Sequence, residues 1–194
     1  MDASLVRSPG PLVFQPPVEF PVTVSIRDCR YSTADRRWIQ DVYGEYLDSL
    51  SGLNTGLYPA IAADDSQKDG IFASWFASQS SHPLVILHDA ERIGFALVAR
   101  PIVAVTGESA PDYRLAEFFV RASHRRNGYG REAAILIFDR FAGDWEIVEY
   151  QRNPGSVRFW RRVLGSYCRG EFTERARHGE IRHRFRSCAA RPAG

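Results

Sequence analysis

Leu115-Ala116-Glu117-Phe118-Phe119-Val120, an apolar run with one acid in it, leads into Arg125-Arg126-Asn127-Gly128-Tyr129-Gly130 and then into the helix-like run Arg131 to Phe141. Two glycines two residues apart, after a strand and at the opening of a helix, let the backbone approach a ligand closely while the N–H groups of the first helical turn point outward without partners. Residues 118 to 131 hold Arg121, Arg125, Arg126 and Arg131 and no acid. A cation at a helix N-terminus opposes the helix dipole unless an anion joins it, so the segment reads as a site for a phosphate.

Outward from this stretch the chain shows alternating strands and helices. On the N-terminal side, Val22 to Arg27 has the period of a half-buried strand, and Ser32 or Thr33 caps a helix through about Leu50 with Trp38, Ile39, Val42, Tyr46 and Leu47 on one face. A second helix is expected over Lys68 to Ser78, preceded by Asp64, Asp65 and Asp69, which read as capping and solvation and not as metal ligands. Leu84 to Leu87 and Ile93 to Ala99 read as an antiparallel pair, Val103 to Tyr113 as a connection, and Arg114 to Val120 as the strand before the glycines. Gly143 closes the helix that follows them, and Trp145 to Gln151 is the next strand. Asn153-Pro154 then opens a helix expected to end at Gly165, followed by strands over Tyr167 to Arg175 and Glu180 to Arg186. Arg182, Arg184 and Arg186 share one face of the last strand, read as a solvated face. Five prolines within residues 1 to 21 mark an extended leader, leaving 22 to 194 as one domain.

At 194 residues and 44% hydrophobic, the chain carries enough apolar material for one ordinary core. Cys29, Cys168 and Cys188 show no metal-ligand spacing, and their odd number without a secretory signal points away from a disulfide framework and toward the cytoplasm. No apolar run reaches the roughly 18 residues of a membrane span. Residues 1 to 113 carry 8 basic and 14 acidic side chains, a charge of −6, whereas 114 to 194 carry 17 and 9, a charge of +8. Either the two halves meet ligands of opposite sign or an uneven surface is simply solvated.

Three phosphate-binding patterns compete for the glycines. A Walker loop fails because no Lys-Ser or Lys-Thr follows them. A dinucleotide fold matches G-x-G-x-x-A over Gly128 to Ala133, with Glu149 near the place of a ribose-binding acid, but seven residues separate the strand from the first glycine. The third pattern, Val120-x-x-x-x-Arg125-x-x-Gly128-x-Gly130, resembles the Q/R-x-x-G-x-G/A acyl-CoA motif of the GNAT superfamily of N-acyltransferases, and Asn153-x-x-Ser156-x-x-Phe159-Trp160 resembles its second signature. The run Leu115 to Val163 is most similar to uncharacterised predicted acetyltransferases of that superfamily.

The resemblance implies an α+β fold, with a mixed, mostly antiparallel sheet flanked by helices and its fourth and fifth strands splayed to admit a pantetheine arm. It implies acetyl-CoA as acyl donor without a metal. Cofactor contacts would come from Val120, Arg125, Arg126, Asn127, Gly128, Tyr129, Gly130, Arg131, Asn153, Ser156 and Trp160, with pyrophosphate on the backbone N–H groups of Arg126 to Arg131. Glu117 stands where the family keeps a general base, and Trp160 where a Tyr commonly protonates the leaving thiolate; indole is a donor only, which leaves Tyr150 and Tyr167 as substitutes. The function so implied is transfer of an acetyl group to a primary amine in a ternary complex. Asp41, Glu45, Asp48, Asp64, Asp65 and Asp69, on the wall that meets the acceptor in this family, favour a small cationic acceptor. Two other classes stay open: a catalytically silent acyl-CoA-binding module, and, weaker, nucleic-acid binding by the Arg-rich half. Homo-oligomers are compatible with either.

Overall fold

The computed structural model describes residues 24–53, 65–101 and 109–187. The leader over residues 1 to 21, Asp64, Cys188 and most of the connection before Tyr113 lie outside the described residues. In chain order the elements are β1 (Val24–Asp28), α1 (Thr33–Ser51), α2 (Asp65–Ala77), β2 (Ser81–His88), β3 (Glu91–Ala99), β4 (Tyr113–Val120), α3 (Tyr129–Arg140), β5 (Gly143–Tyr150), α4 (Pro154–Tyr167), β6 (Phe172–Arg177) and β7 (Glu180–Ser187). The strands form one seven-stranded sheet in the order β1-β2-β3-β4-β5-β7-β6. Every pairing is antiparallel except β4 with β5.

Local sequence explains most of these elements. The Ser32 hydroxyl caps α1 by accepting from the Asp35 N–H at 3.1 Å, and Asn153 caps α4 by accepting from the Ser156 N–H at 3.1 Å, with Pro154 in the first turn. The second helix begins at Asp65 and not at Lys68, β2 begins at Ser81 and not at Leu84, and at one further boundary packing overrides the local signal. Gly165 does not end α4, which runs on to Tyr167. The Tyr167 ring packs against Phe138 and Phe185, at 5.3 and 6.2 Å between centroids, and its hydroxyl donates to Asp139 at 2.7 Å. Those contacts outweigh the roughly 1 kcal/mol that a glycine costs inside a helix. The strand expected from Tyr167 therefore begins only at Phe172.

The sheet separates two apolar layers. On one face α1 and α2 bury Ile39, Tyr43, Tyr46, Phe72 and Trp75 against Val85, Leu87, Phe95, Leu97 and Phe119. On the other, α3 and α4 bury Ile137, Phe138, Trp160 and Leu164 against Val98, Leu115, Trp145, Ile147 and Phe185. Among the described residues, no buried residue of β5, β6 or β7 belongs to the first layer, so the described helices cover that face only as far as about β4.

The sheet is interrupted at the same place. β4 and β5 pair only through Tyr113 with Trp145, Arg114 with Glu146 and Leu115 with Ile147. Beyond Leu115, β4 stays with β3 as far as Val120, while β5 stays with β7 as far as Tyr150. The two strands therefore part, as the family resemblance implies.

Candidate active site

Glu117 owes its position to a β-bulge. Val98 pairs with Leu115 but Leu97 pairs with Glu117, which makes Ala116 the extra residue of β4. Strand alternation alone would place Glu117 on Leu115's side, against α3 and α4; the inserted residue moves it to Phe119's side, facing α1. There the Tyr46 hydroxyl donates to Glu117 Oε2. Burial raises the Glu117 carboxyl to about 7, opposed by the Tyr46 hydrogen bond, which lowers it. The Tyr43 hydroxyl is pushed above its ordinary range, first by burial and then by the charge of Glu117. An acid poised near neutrality thus stands half-buried at the point where β4 leaves β5.

At the far end of β4 the glycine loop leads into α3. Arg126 and Gly128 adopt positive φ, 71° and 86°, and Gly128 is the N-cap without any side-chain cap bond. Among the described residues, the backbone N–H groups of Arg126, Asn127, Gly128, Tyr129 and Gly130 have no hydrogen-bond acceptor. The Arg131 N–H is used, donating to the Gly128 carbonyl at 2.9 Å, so the expected row of free donors ends at Gly130 and not at Arg131. Arg126 and Arg131 are exposed and have no carboxylate partner among the described residues. A cradle of five donors with two guanidinium groups beside it suits a multiply charged anion such as a pyrophosphate.

The other expected contacts are distributed around this cradle. Arg125 turns back on β4, its Nε donating to the Val120 carbonyl at 2.7 Å and its guanidinium lying 5.5 Å from the Phe119 ring. The Tyr129 ring lies 4.2 Å from that of His88. Gly130 faces Phe159: a Cβ there would sit 3.5 Å from the ring and 3.7 Å from Val120 Cγ2, ordinary contact distances, so the chain's own packing does not demand a glycine. Asn153 and Ser156 are joined to each other by the α4 cap. Trp160, expected as a cofactor contact, is only 4% exposed and meets Phe118 and Phe159 edge-on at 5.1 and 4.7 Å. Its neighbour Phe159 is the half-buried aromatic ring beside the loop. Tyr167 is held by Asp139, and Tyr150, alternating with Glu146 and Val148, ends β5 on the α1 side of the sheet.

The acids of α1 and α2 and the arginines of β7 differ in their surroundings. Asp41, Asp48 and Asp69 are exposed, and Glu45 is paired with Arg121 at 3.1 Å. The face of β7 expected to be solvated instead covers a fully buried carboxylate: Glu146 is bound by Arg114 at 2.5 Å, Arg182 at 3.3 Å and Arg184 at 3.1 Å. Those three guanidinium groups hold Glu146 ionised against the cost of its burial. Periodicity could not reveal this, because Glu146 and its partners lie on three strands. Glu149, weighed as a ribose-binding acid, is buried against His183 at 2.8 Å.

Comparison with known proteins agrees with this geometry. The model of the GNAT acetyltransferase family matches residues 42–165. The chain belongs to the GNAT acetyltransferase family. A GNAT acetyltransferase therefore carries this splayed sheet, and solved structures share its fold at low sequence identity. An acetyltransferase from Thermus thermophilus is 16% identical, with 85% of this chain and 97% of that one covered and a TM-score of 0.59. The PaiA N-acetyltransferase from Thermoplasma acidophilum, solved in complex with coenzyme A, is 11% identical over 84% and 99%, with a TM-score of 0.55. YncA from Salmonella typhimurium, solved with its cofactor acetyl-CoA, is 18% identical over 88% and 96%, with a TM-score of 0.53. No curated protein matches the sequence. No described helix of this GNAT acetyltransferase is long and apolar enough to cross a membrane.

Proposed function

We propose that the protein transfers an acetyl group from acetyl-CoA to a primary amine by direct attack within a ternary complex, with Glu117 as general base. The observation that carries this reading is the bulge at Ala116, which sets a carboxyl near pKa 7 beside the splay of β4 and β5. The donor cradle from Arg126 to Gly130 stands at the other end of the same strand and would hold the pyrophosphate of CoA. Acetyl-CoA supplies the activated thioester; the protein's part is to align it and to manage protons.

An amine with the lysine-like pKa of about 10.4 is neutral only about 0.04% of the time at pH 7, a deficit of about 4.6 kcal/mol. Glu117, ionised above about pH 7, takes the proton as the amine attacks, directly or through one water. Among the described residues no strong acid is evident for the departing thiolate. Trp160 is a buried donor and Tyr167 is bound to Asp139, so solvent or the half-buried Tyr150 delivers that proton, and the rate loses part of the about 10²- to 10⁴-fold that a positioned acid contributes. The amine end of the acceptor reaches the site as a cation, and exposed Asp41, Asp48 and Asp69 attract it through a long-range field of modest energy.

The test is acetyl-CoA-dependent acetylation of a panel of amines by wild type and Glu117→Gln from pH 6 to 9. The expected result is a loss of about 10²-fold or more at pH 7 that shrinks as rising pH deprotonates the amine. A ratio that stays constant across this range would leave Glu117 with a structural role alone.

A further inference from the structure

β1 and β6 are the two edges of the sheet, and among the described residues each pairs with a single strand, β1 with β2 and β6 with β7. An edge strand offers a row of backbone N–H and C=O groups to another chain unless its side chains oppose the approach. β6 is guarded in this way: Glu174, Arg175 and Arg177 fall within its six residues, and every residue after Phe172 is exposed. β1 is not. Its Val24 and Ile26 lie on the α3 side, only partly buried, and its two charged side chains are already engaged, Arg27 with Asp35 at 2.8 Å and Asp28 with Arg30 at 2.7 Å.

Pairing with a second copy separates the two edges further. When two copies join antiparallel edges about a two-fold axis perpendicular to the sheet, residues set opposite one another share a face, so a residue meets itself or one an even number of positions away. On β6, the two registers that pair five of its six residues put either Glu174 opposite Glu174 or Arg175 opposite Arg175. Like charges in direct register destabilise a sheet. On β1, an axis centred on Ile26 pairs all five residues: Ile26 with the partner's Ile26, Ser25 with the partner's Arg27, and Val24 with the partner's Asp28. No like charges face each other there. Leu136 adds apolar area nearby: it is 36% exposed, on the helix that lies against β1, one turn beyond Ala133, which packs in one cluster with Val24 and Ile26.

We propose that a second copy of this chain occupies the β1 edge, joining two seven-stranded sheets through an antiparallel seam centred on Ile26. β1 stands three strand spacings from β4, roughly 14 Å, so the splay of β4 and β5 stays open in both copies. Val24, at one end of the seam, pairs with His88, whose ring stacks on Tyr129 in the first turn of α3, which ties the seam to the element that opens at the glycine loop.

The test follows the full chain by sedimentation velocity from about 1 to 100 μM, where a concentration-dependent dimer is expected. Ser25 is exposed, so variants there keep the fold and report on the seam. Ser25→Arg, opposite the partner's Arg27 at two symmetric places, should raise the dimer Kd about fivefold, and Ser25→Glu should lower it about fivefold, both effects fading at high salt. In a chain carrying Cys168→Ser and Cys188→Ser, Ile26→Cys should form an intersubunit disulfide on mild oxidation, because opposed Cα atoms in such a pair lie about 5 Å apart. Thr173→Cys on β6 should not. A wild-type chain that stays monomeric throughout, the outcome if residues 1–23 cover the edge themselves, would overturn the proposal. So would a dimer whose Kd ignores the charge at position 25, or cross-linking as fast through position 173 as through position 26. None of these readouts depends on acetyl transfer.

Discussion

Glu117, the proposed general base, has an environment with consequences beyond activity. The folded carboxyl, near 7, lies above its ordinary 4.5 because burial disfavours the charge. Between these values the native state holds more protons than the unfolded state, so this group's contribution to stability falls as pH rises from 4.5 to 7 and is constant on either side. Glu117→Gln should therefore be more stable than wild type at pH 8, by on the order of 3 kcal/mol at most, and should gain nothing at pH 4.5. Denaturant titrations at the two pH values check this, and equal stabilities at both would show that the carboxyl titrates normally. Tyr46→Phe removes the donor that lowers the Glu117 pKa. The acid limb of the kcat/KM profile should then move upward by about one pH unit, and an unmoved limb would detach Tyr46 from the proposed general base.

At the scale of elements, α3 and α1 each make a test of their first turn. Gly128 sits at φ 86°, where any β-branched residue is strained, so a Gly128→Val variant confounds ligand loss with backbone strain. Gly130 is cleaner, because a Cβ there meets Phe159 and Val120 only at ordinary contact distance. Gly130→Ala should keep acetyl-CoA-dependent thermal stabilisation, about 2.7 kcal/mol at a hundredfold excess over Kd, whereas Gly130→Val should lose it with the apo protein still folded. Full stabilisation of the Val variant would place the cofactor elsewhere. In α1, Asp35 is fully buried and accepts from Arg27 at 2.8 Å and from Arg92 at 2.7 Å. The Arg27 hydrogen bond leads in lowering its carboxyl to about 2, against 3.8 unperturbed. Its depressed pKa contributes about 2 kcal/mol that is complete above pH 4 and lost as pH falls through about 2. Asp35→Ala should cost about 3 kcal/mol at pH 7 and flatten the acid unfolding curve in that window, and a loss below about 0.5 kcal/mol would show the triad to be neutral.

The whole molecule is two apolar layers on a sheet that opens at one seam, and ligand binding should register along that seam. Acetyl-CoA is expected to slow amide exchange in residues 116–120 and 126–130 and to leave β1 and β2 unchanged. Exchange slowed evenly across all strands would mean global stabilisation without the splay as its seat. Much of this architecture was legible in the chain itself. The Ser32 and Asn153 caps, the strand periods and the spacing of Gly128 and Gly130 act within a few residues, and they correctly indicated the α+β fold and the opening of α3 at the glycines. What required the tertiary structure was every property that depends on registry between distant segments. The bulge at Ala116 is visible only against Val98 and Leu97, yet it decides which face Glu117 occupies. The continuation of α4 through Gly165 depends on Phe138 and Phe185, and the burial of Glu146 on arginines from β4 and β7. Local conformational preference is written residue by residue, whereas strand pairing and the field around a carboxyl arise from side chains far apart in sequence that only the closed sheet brings within a few ångströms.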